Sequence, residues 1–527
     1  MNDLNRSRNL GVPLRARCFF AVVMLGVLLA RSAPAQTLQT LHSFTAGSLF
    51  SIQGPITNSD GASPHAGLIL SGNTLYGTAS AGGEGGAGTL FAVHADGTGF
   101  TNLHNFTALP PCGTVGPCLH INSDGASPYG ELILWSNTLY GTAPAGGSSG
   151  NGTVFALNTD GTGFTNLHSF TALDGYGTNG DGKSPYGALL AWGDTLYGAA
   201  SQGGSGTAGF GGGSGEGTLF KLNTDGVGFT NLHSFAPASF DPTLPRFTNS
   251  DGASPYGGLI LSGNTLYGAA SQGGSWGAGA IFALNTDGSG FRNLHIFTGG
   301  GDGGSPQEGL VLLGNTLYGT AGGGSSGAGT VFALNTDGTG FTNLYNFTAL
   351  SNSGTNSDGA NPEAALILRG NTLYGTAYNG GSSGHGTVFA VNTDGTGFTT
   401  LYSFTAATTN LSGAPTNSDG VNPSSGLILS SNTLYGTTPA GGSSGNGTVF
   451  SLSFKPQLTI TPSGTNIILS WPTNFAGFDY TGYTLQSTTN LVSPLWNTNL
   501  QPPVVVNAQL TLTNPISGKR QFFRLSQ

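Results

Sequence analysis

Groups able to do chemistry are few in this 527-residue chain, and most recur at fixed places. Asp60, Asp124, Asp181, Asp251, Asp302, Asp358 and Asp419 each precede a glycine and, four residues on, a proline. Asp96, Asp160, Asp225, Asp287, Asp337 and Asp394 form a second Asp-Gly set. His42, His104, His168, His233 and His295 share a third place, which Tyr345 and Tyr402 fill in two further copies. Carboxylates and imidazoles suit general acid–base work or cation binding. A catalytic carboxylate, however, is needed once or twice, in surroundings that its copies do not share. The repeated Asp therefore reads as a turn device that accepts from nearby backbone N–H groups. Calcium, which needs six to eight oxygens, is the lesser alternative. Tyr cannot replace histidine as an acid–base, but both carry a ring and a polar tip. That substitution points to a packing residue whose tip finds a hydrogen bond between units. Five histidines on separate strands cannot converge on one metal, so no metal site is expected.

Repetition sets where these residues must sit. Asn-Thr-Leu-Tyr-Gly begins at Asn73, Asn137, Asn264, Asn315, Asn371 and Asn432, with Asp194 opening a seventh copy. Each copy carries four β-type runs, here called A to D. In the second unit these are 131–134, 138–142, 153–157 and 164–170. An Asn-Thr-Asp-Gly-Thr-Gly hairpin joins C to D, its Asp-Gly supplying positive φ. No run has a helical period. Four strands per unit is the pattern of a propeller blade; a parallel β-helix, with shorter coils, is the weaker alternative. The ends are out of phase in an informative way. A lone D run opens the chain at 38–44, and an A-B-C set closes the repeats at 426–452. Joined, they complete a seventh blade and leave no bare terminal edge.

The unit LYGTA-x-x-GG…GTVFALN-TDG…TNLHSF…DG-x-x-P…GLIL resembles the GloVer tandem repeat of bacterial exported proteins over roughly residues 37–454. It also resembles the kelch blade. The resemblance implies a propeller and an exported protein, and brings no assigned catalytic residues. Members often end in a hydrophobic sorting segment with a basic tail; this chain ends Gln-Phe-Phe-Arg-Leu-Ser-Gln and lacks it. The expected fold is thus all-β: a seven-bladed kelch-like β-propeller over 36–454, closed by the N-terminal strand.

In such a propeller the residue after the recurrent proline lines the central mouth. Round the ring these residues are His65, Tyr129, Tyr186, Tyr256, Gln307, Glu363 and Ser424. Two positions later stand Gly67, Glu131, Ala188, Gly258, Gly309, Ala365 and Gly426, small except for Glu131. With Glu308, this aromatic and acidic mouth suits a polar ligand such as a glycan. Solvent-facing variability is the plainer alternative.

The remaining features bound the function class. Only 7% of residues are charged, 92 are glycine, and 10% are aromatic, unlike a disordered chain. No basic patch serves nucleic acid. Residues 1–35 read as a signal peptide: a basic start, an apolar run at 18–30, and Ala33-Pro34-Ala35 before the cut. Losing its five Arg and one Asp leaves nine basic against 22 acidic residues. No later segment is long and apolar enough to span a bilayer. Cys112 and Cys118, alone together in one Pro/Gly-rich loop, are expected to form a disulfide; half a metal site with His120 is the rival, at unsuitable spacing. Residues 455–527 carry alternating runs at 457–460, 466–471, 483–487, 504–513 and 521–525. Leu469-Ser470-Trp471-Pro472 followed by Thr481-Gly482-Tyr483 resembles a fibronectin type III core, implying a small β-sandwich with Trp471 buried.

No nucleotide loop, H-E-x-x-H or C-x-x-C pair is present. The grouped cysteines also exclude a kelch-type copper oxidase. The reading is an exported, monomeric, noncatalytic binding or scaffold protein without cofactor, whose partner is an extracellular polysaccharide or a cell-surface protein. A polysaccharide-active enzyme using Glu131, Glu308 and Glu363 is one alternative; a structural surface-layer component is the other.

Overall fold

The computed structural model describes residues 35–49, 56–110, 120–174, 177–205, 215–244, 246–499, 501–516 and 520–527. The signal peptide expected at 1–35 lies outside them but for its last residue, and the expected Cys112–Cys118 disulfide lies outside them entirely. The described residues form strands and turns, with no helix among them.

Seven antiparallel four-stranded sheets account for the repeats. In the second unit the strands are Ile133–Trp135, Thr138–Ala143, Thr153–Asn158 and Thr165–Ser169. Strand A is shorter than its apolar run, because the Gly- and Pro-rich approach to it bonds as a loop. It also reaches Trp135, one residue past the expected run; the turn is Ser136-Asn137, with Ser136 at φ 57°. The seventh sheet contains Ile428–Ser430, Thr433–Thr438 and Thr448–Lys455, completed by Ala35–Ser43 at the other end of the chain. Their register runs from Ala35 opposite Lys455 to Ser43 opposite Thr448.

The reason for Leu-Tyr-Gly lies in the partner strand. Gly77 pairs with Phe91, and a Cβ at Gly77 would stand 2.6 Å from the Phe91 ring. Each sheet buries one such Phe, as at Phe91, Phe155 and Phe220. Each burial contributes about 1.5–3 kcal/mol. The apolar clusters bridge successive sheets: Leu90 and Phe106 of the first meet Leu139 and Phe155 of the second. One cluster bridges the seventh to the first, joining Leu41, Phe44 and Val449 to Leu68, Leu75 and Phe91. There the Thr437 hydroxyl donates to the Ala66 carbonyl at 2.9 Å.

The repeated Asp and His residues form one latch. His42, His104, His168, His233 and His295 donate through Nε2 to Asp60, Asp124, Asp181, Asp251 and Asp302 at 2.9–3.2 Å. Tyr345 and Tyr402 make the same bond to Asp358 and Asp419 at 2.8 Å. Each histidine ring stacks on a Phe of the following unit, His42 on Phe100 at 3.7 Å and His104 on Phe164 at 3.8 Å. Burial by itself would raise Asp60; its bonds from His42 and from the Thr45 hydroxyl and amide outweigh that and hold it below its ordinary value. The second Asp set caps its own hairpin: Asp160 accepts from the Thr162 amide at 2.9 Å and hydroxyl at 2.7 Å.

Residues after 455 form a four-stranded sheet that includes Asn466–Pro472 and Gln509–Pro515, and a three-stranded sheet that includes Thr484–Thr488 and Phe522–Ser526. The run expected at 504–513 is two strands, Val504–Val506 and Gln509–Pro515, turning at Asn507 and Ala508 with φ 50° and 60°. Trp471 is fully buried with Leu469, Leu485, Leu510 and Leu512. The same core reaches the repeats, where Phe478 stacks on Phe454 at 4.3 Å and Tyr374 Oη donates to the Ala476 carbonyl at 2.6 Å.

Candidate functional site

Strand D leads to the next strand A through a connection that carries the Asp latch and then the recurrent proline. The residues after that proline meet at one end of the repeats, but they divide into two groups. His65, Tyr129, Tyr186 and Tyr256 form a continuous aromatic arc. His65 stacks on Tyr129 at 4.4 Å; Tyr129 meets Tyr186 edge-on at 5.5 Å; Tyr186 meets Tyr256 at 5.3 Å. His65 Nδ1 lies 3.0 Å from Tyr129 Oη and 3.3 Å from Ser424 Oγ. These rings face one another as much as they face open space. The sequence placed them together but could not say how they would tilt.

His65, Tyr129, Glu131, Tyr186 and Glu308 line one cavity of about 170 Å³, together with the small residues Gly67, Ala188, Gly258 and Gly309. Tyr256 packs behind Tyr186, outside that lining. Glu131 alone carries a long side chain at the position three past the recurrent proline, and glycine makes room for it. A Cβ at Gly67 would stand 2.8 Å from the Glu131 carboxyl, and one at Gly426 would stand 3.7 Å from it.

Burial sets the charge of this cavity. It pushes Glu131 up to about 7. Burial, with the nearby charges of Glu131 and Glu363, pushes Glu308 up to about 8, against one backbone N–H bond. Burial lowers His65 to about 4. It also raises Tyr129, Tyr186 and Tyr256. At neutral pH the cavity therefore holds a neutral imidazole, phenols and carboxyls that keep much of their protons.

Gln307 and Glu363 stand elsewhere. They line a larger cavity of about 600 Å³ with Arg246, Gln272, Ser305 and Asn361. Burial raises Glu363 as well. Tyr378 lies near enough for its charge to act on Tyr129, as Glu363's acts on Tyr378. Sequence reasoning missed Arg246, which lies in a connection without counterpart in the other units, and Gln272, Asn361 and Tyr378, whose repeat positions carry other residues in most copies and give no sign of what they face. Among the described residues, no group of three or more His, Cys, Asp or Glu could hold a metal ion.

The pattern that defines the Gloeobacter/Verrucomicrobia repeat matches residues 26–245, 237–415 and 350–467. No curated protein matches the chain. Among solved structures, an oligogalacturonate lyase in complex with manganese is similar at 10% identity and TM-score 0.44, over 80% of this chain and 98% of that one. A GH74 enzyme of Niastella koreensis is similar at 15% identity and TM-score 0.44, over 92% and 72%. A nidogen/laminin complex gives 14% identity and TM-score 0.34, over 60% and 88%. None of the three reaches a TM-score of 0.5, so the site is argued from its own residues.

Proposed function

The chain belongs to the Gloeobacter/Verrucomicrobia repeat family, and from that premise we propose that its seven sheets close into a kelch-like β-propeller whose mouth binds a neutral, polyhydroxylated ligand, a glycan, without transforming it. The protein is exported, residues 1–35 serve as a cleaved signal peptide, and residues 455–527 are a fibronectin type III-like module. Pairing of Ala35–Ser43 with Thr448–Lys455, and the cluster that bridges the seventh sheet to the first, support closure.

One observation carries the ligand class: the cavity that places the His65–Tyr129 stack beside Glu131 and Glu308, both with raised carboxyl pKa values. A protonated carboxyl donates and accepts, as a sugar hydroxyl does, and aromatic rings offer apolar area to a sugar face. A cation would find little charge there. The same raised values favour one second reading, hydrolysis, because a general acid must keep its proton near neutrality.

The test is a glycan-array screen of residues 36–527, repeated with Tyr129→Ala and with Glu131→Gln. Tyr129→Ala should weaken binding roughly five- to 150-fold. Glu131→Gln, neutral and of the same shape, should leave it nearly intact. Sugar release that stops in Glu131→Gln would decide for hydrolysis. An array without a single hit would leave the scaffold and surface-layer readings.

A further inference from the structure

We infer that the larger cavity, where the fifth unit departs from the other six, binds a carboxylate-bearing saccharide of about two rings, with Arg246 holding the carboxylate. This site is separate from the mouth proposed above and does not rest on it.

The cavity exists because a plug is missing. In six connections an asparagine two residues before the latch Asp fills this space. Asn58 Oδ1 accepts from the Gly61 and Gly83 amides at 3.0 and 2.8 Å, while its Nδ2 donates to the Thr45 and Gly61 carbonyls. Asn122, Asn179, Asn249, Asn356 and Asn417 repeat the arrangement. The fifth unit has Gly300 there. Its connection is also the shortest, running only from 297 to 310. The vacated space can be measured. A Cβ at Gly82, Gly203, Gly273 or Gly380 would stand 2.5 Å from the plug oxygen, whereas at Gly323 nothing lies within 4 Å.

Into this gap reaches the preceding connection, whose hairpin Ser239–Asp241 and Arg246–Thr248 carries an arginine. Its guanidinium lies over Gly299, where a Cβ would stand 2.5 Å from Nη1. Among the described residues no ion pair involves Arg246; every one recorded joins a histidine to an aspartate. A planar fork of donors without a carboxylate partner matches a ligand carboxylate in two bonds. The rest of the lining is amide and hydroxyl, from Gln272, Gln307, Asn361 and Ser305, with Glu363 on the following connection. Such groups exchange hydrogen bonds with sugar hydroxyls. A carboxylate and several hydroxyls on one rigid frame describe an acidic saccharide, and about 600 Å³ lies within the usual range for ligand pockets.

The experiment is calorimetric titration of residues 36–527 with a 1,4-linked diuronate and with its methyl ester. The acid should bind, and the ester should lose roughly ten- to 100-fold. Arg246→Gln, an exposed change, should lose the same factor for the acid and nothing for the ester. Gly300→Asn, which restores the plug without altering the arginine, should abolish binding while the thermal melt stays cooperative. Tyr129→Ala should leave diuronate binding unchanged, so failure of the mouth reading would not touch this one. Equal affinity for acid and ester overturns the proposal, as does full binding by Arg246→Gln or Gly300→Asn. So would tighter binding of a Gly-Gly-Asp tripeptide.

Discussion

Two stretches of the same repeated position behave differently. In units one to four the residues after the proline are His65, Tyr129, Tyr186 and Tyr256, packed ring against ring, the first three lining a cavity of about 170 Å³. In the fifth and sixth they are Gln307 and Glu363, beside a cavity of about 600 Å³. The core beneath does not change: Phe155 and Phe332 are both fully buried. The repeat therefore supplies a frame, and individuality comes from omitting one of its devices rather than from adding a new one.

The largest effect should come from removing what both stretches hang on. Deleting residues 37–45 strips the outer strand from the seventh sheet and Phe44 from the cluster that bridges to the first. Loss of the single cooperative melt is expected, and an unchanged calorimetric transition would show that the frame does not depend on that strand. Next, Phe155→Ala and Phe332→Ala should each cost about 3–5 kcal/mol. Denaturant titration of the pair would undo the comparison if the two differed by much more than about 1 kcal/mol.

A smaller effect separates the stretches by pH. Glu131 and Glu308 have folded pKa values of about 7 and about 8, above the ordinary 4.5. Between pH 5 and 8 the folded chain therefore binds more protons than the unfolded one, and these groups lower stability as pH rises. His65, held at about 4, acts oppositely: its neutral form is lost at a cost as pH falls from 6.5 toward 4. A Glu131→Gln, Glu308→Gln double variant should flatten the upper part of the melt-versus-pH curve and leave the lower part alone. A curve of unchanged shape would contradict the charge state assigned to the smaller cavity. The smallest effect is expected at Asp160→Ala, an exposed hairpin cap that lines neither cavity. Its melt should shift slightly and ligand binding not at all.

Much of this was legible beforehand, for identifiable reasons. Strands B, C and D announce themselves by alternation and by recurring in register, and Asp-Gly marks each hairpin. Glu131 was visible as the one long residue in a ring of small ones; that its carboxyl lies over Gly67 was not, because the neighbour is 64 positions away. The hairpin at Asn507-Ala508 was missed because alanine gives no turn signal, yet it adopts φ 60° there. The larger cavity left a trace in the run Gly299-Gly300-Gly301-Asp302-Gly303-Gly304. That trace gains meaning only when six asparagines are seen filling the same hole.

Pairing of Ala35–Ser43 with Thr448–Lys455 also has a consequence in time. A ribosome releases the first strand long before its partner, since bonds such as Ser443 N–H to Ser43 Oγ span 400 residues. The six internal sheets are built from neighbouring segments and can form as they emerge. The seventh must wait until the last repeat arrives. Bringing such distant ends together costs about 3 kcal/mol more entropy than closing a loop of ~15 residues. The seventh sheet is thus the last that can form, because the strands that complete it are made some 400 residues after Ala35–Ser43.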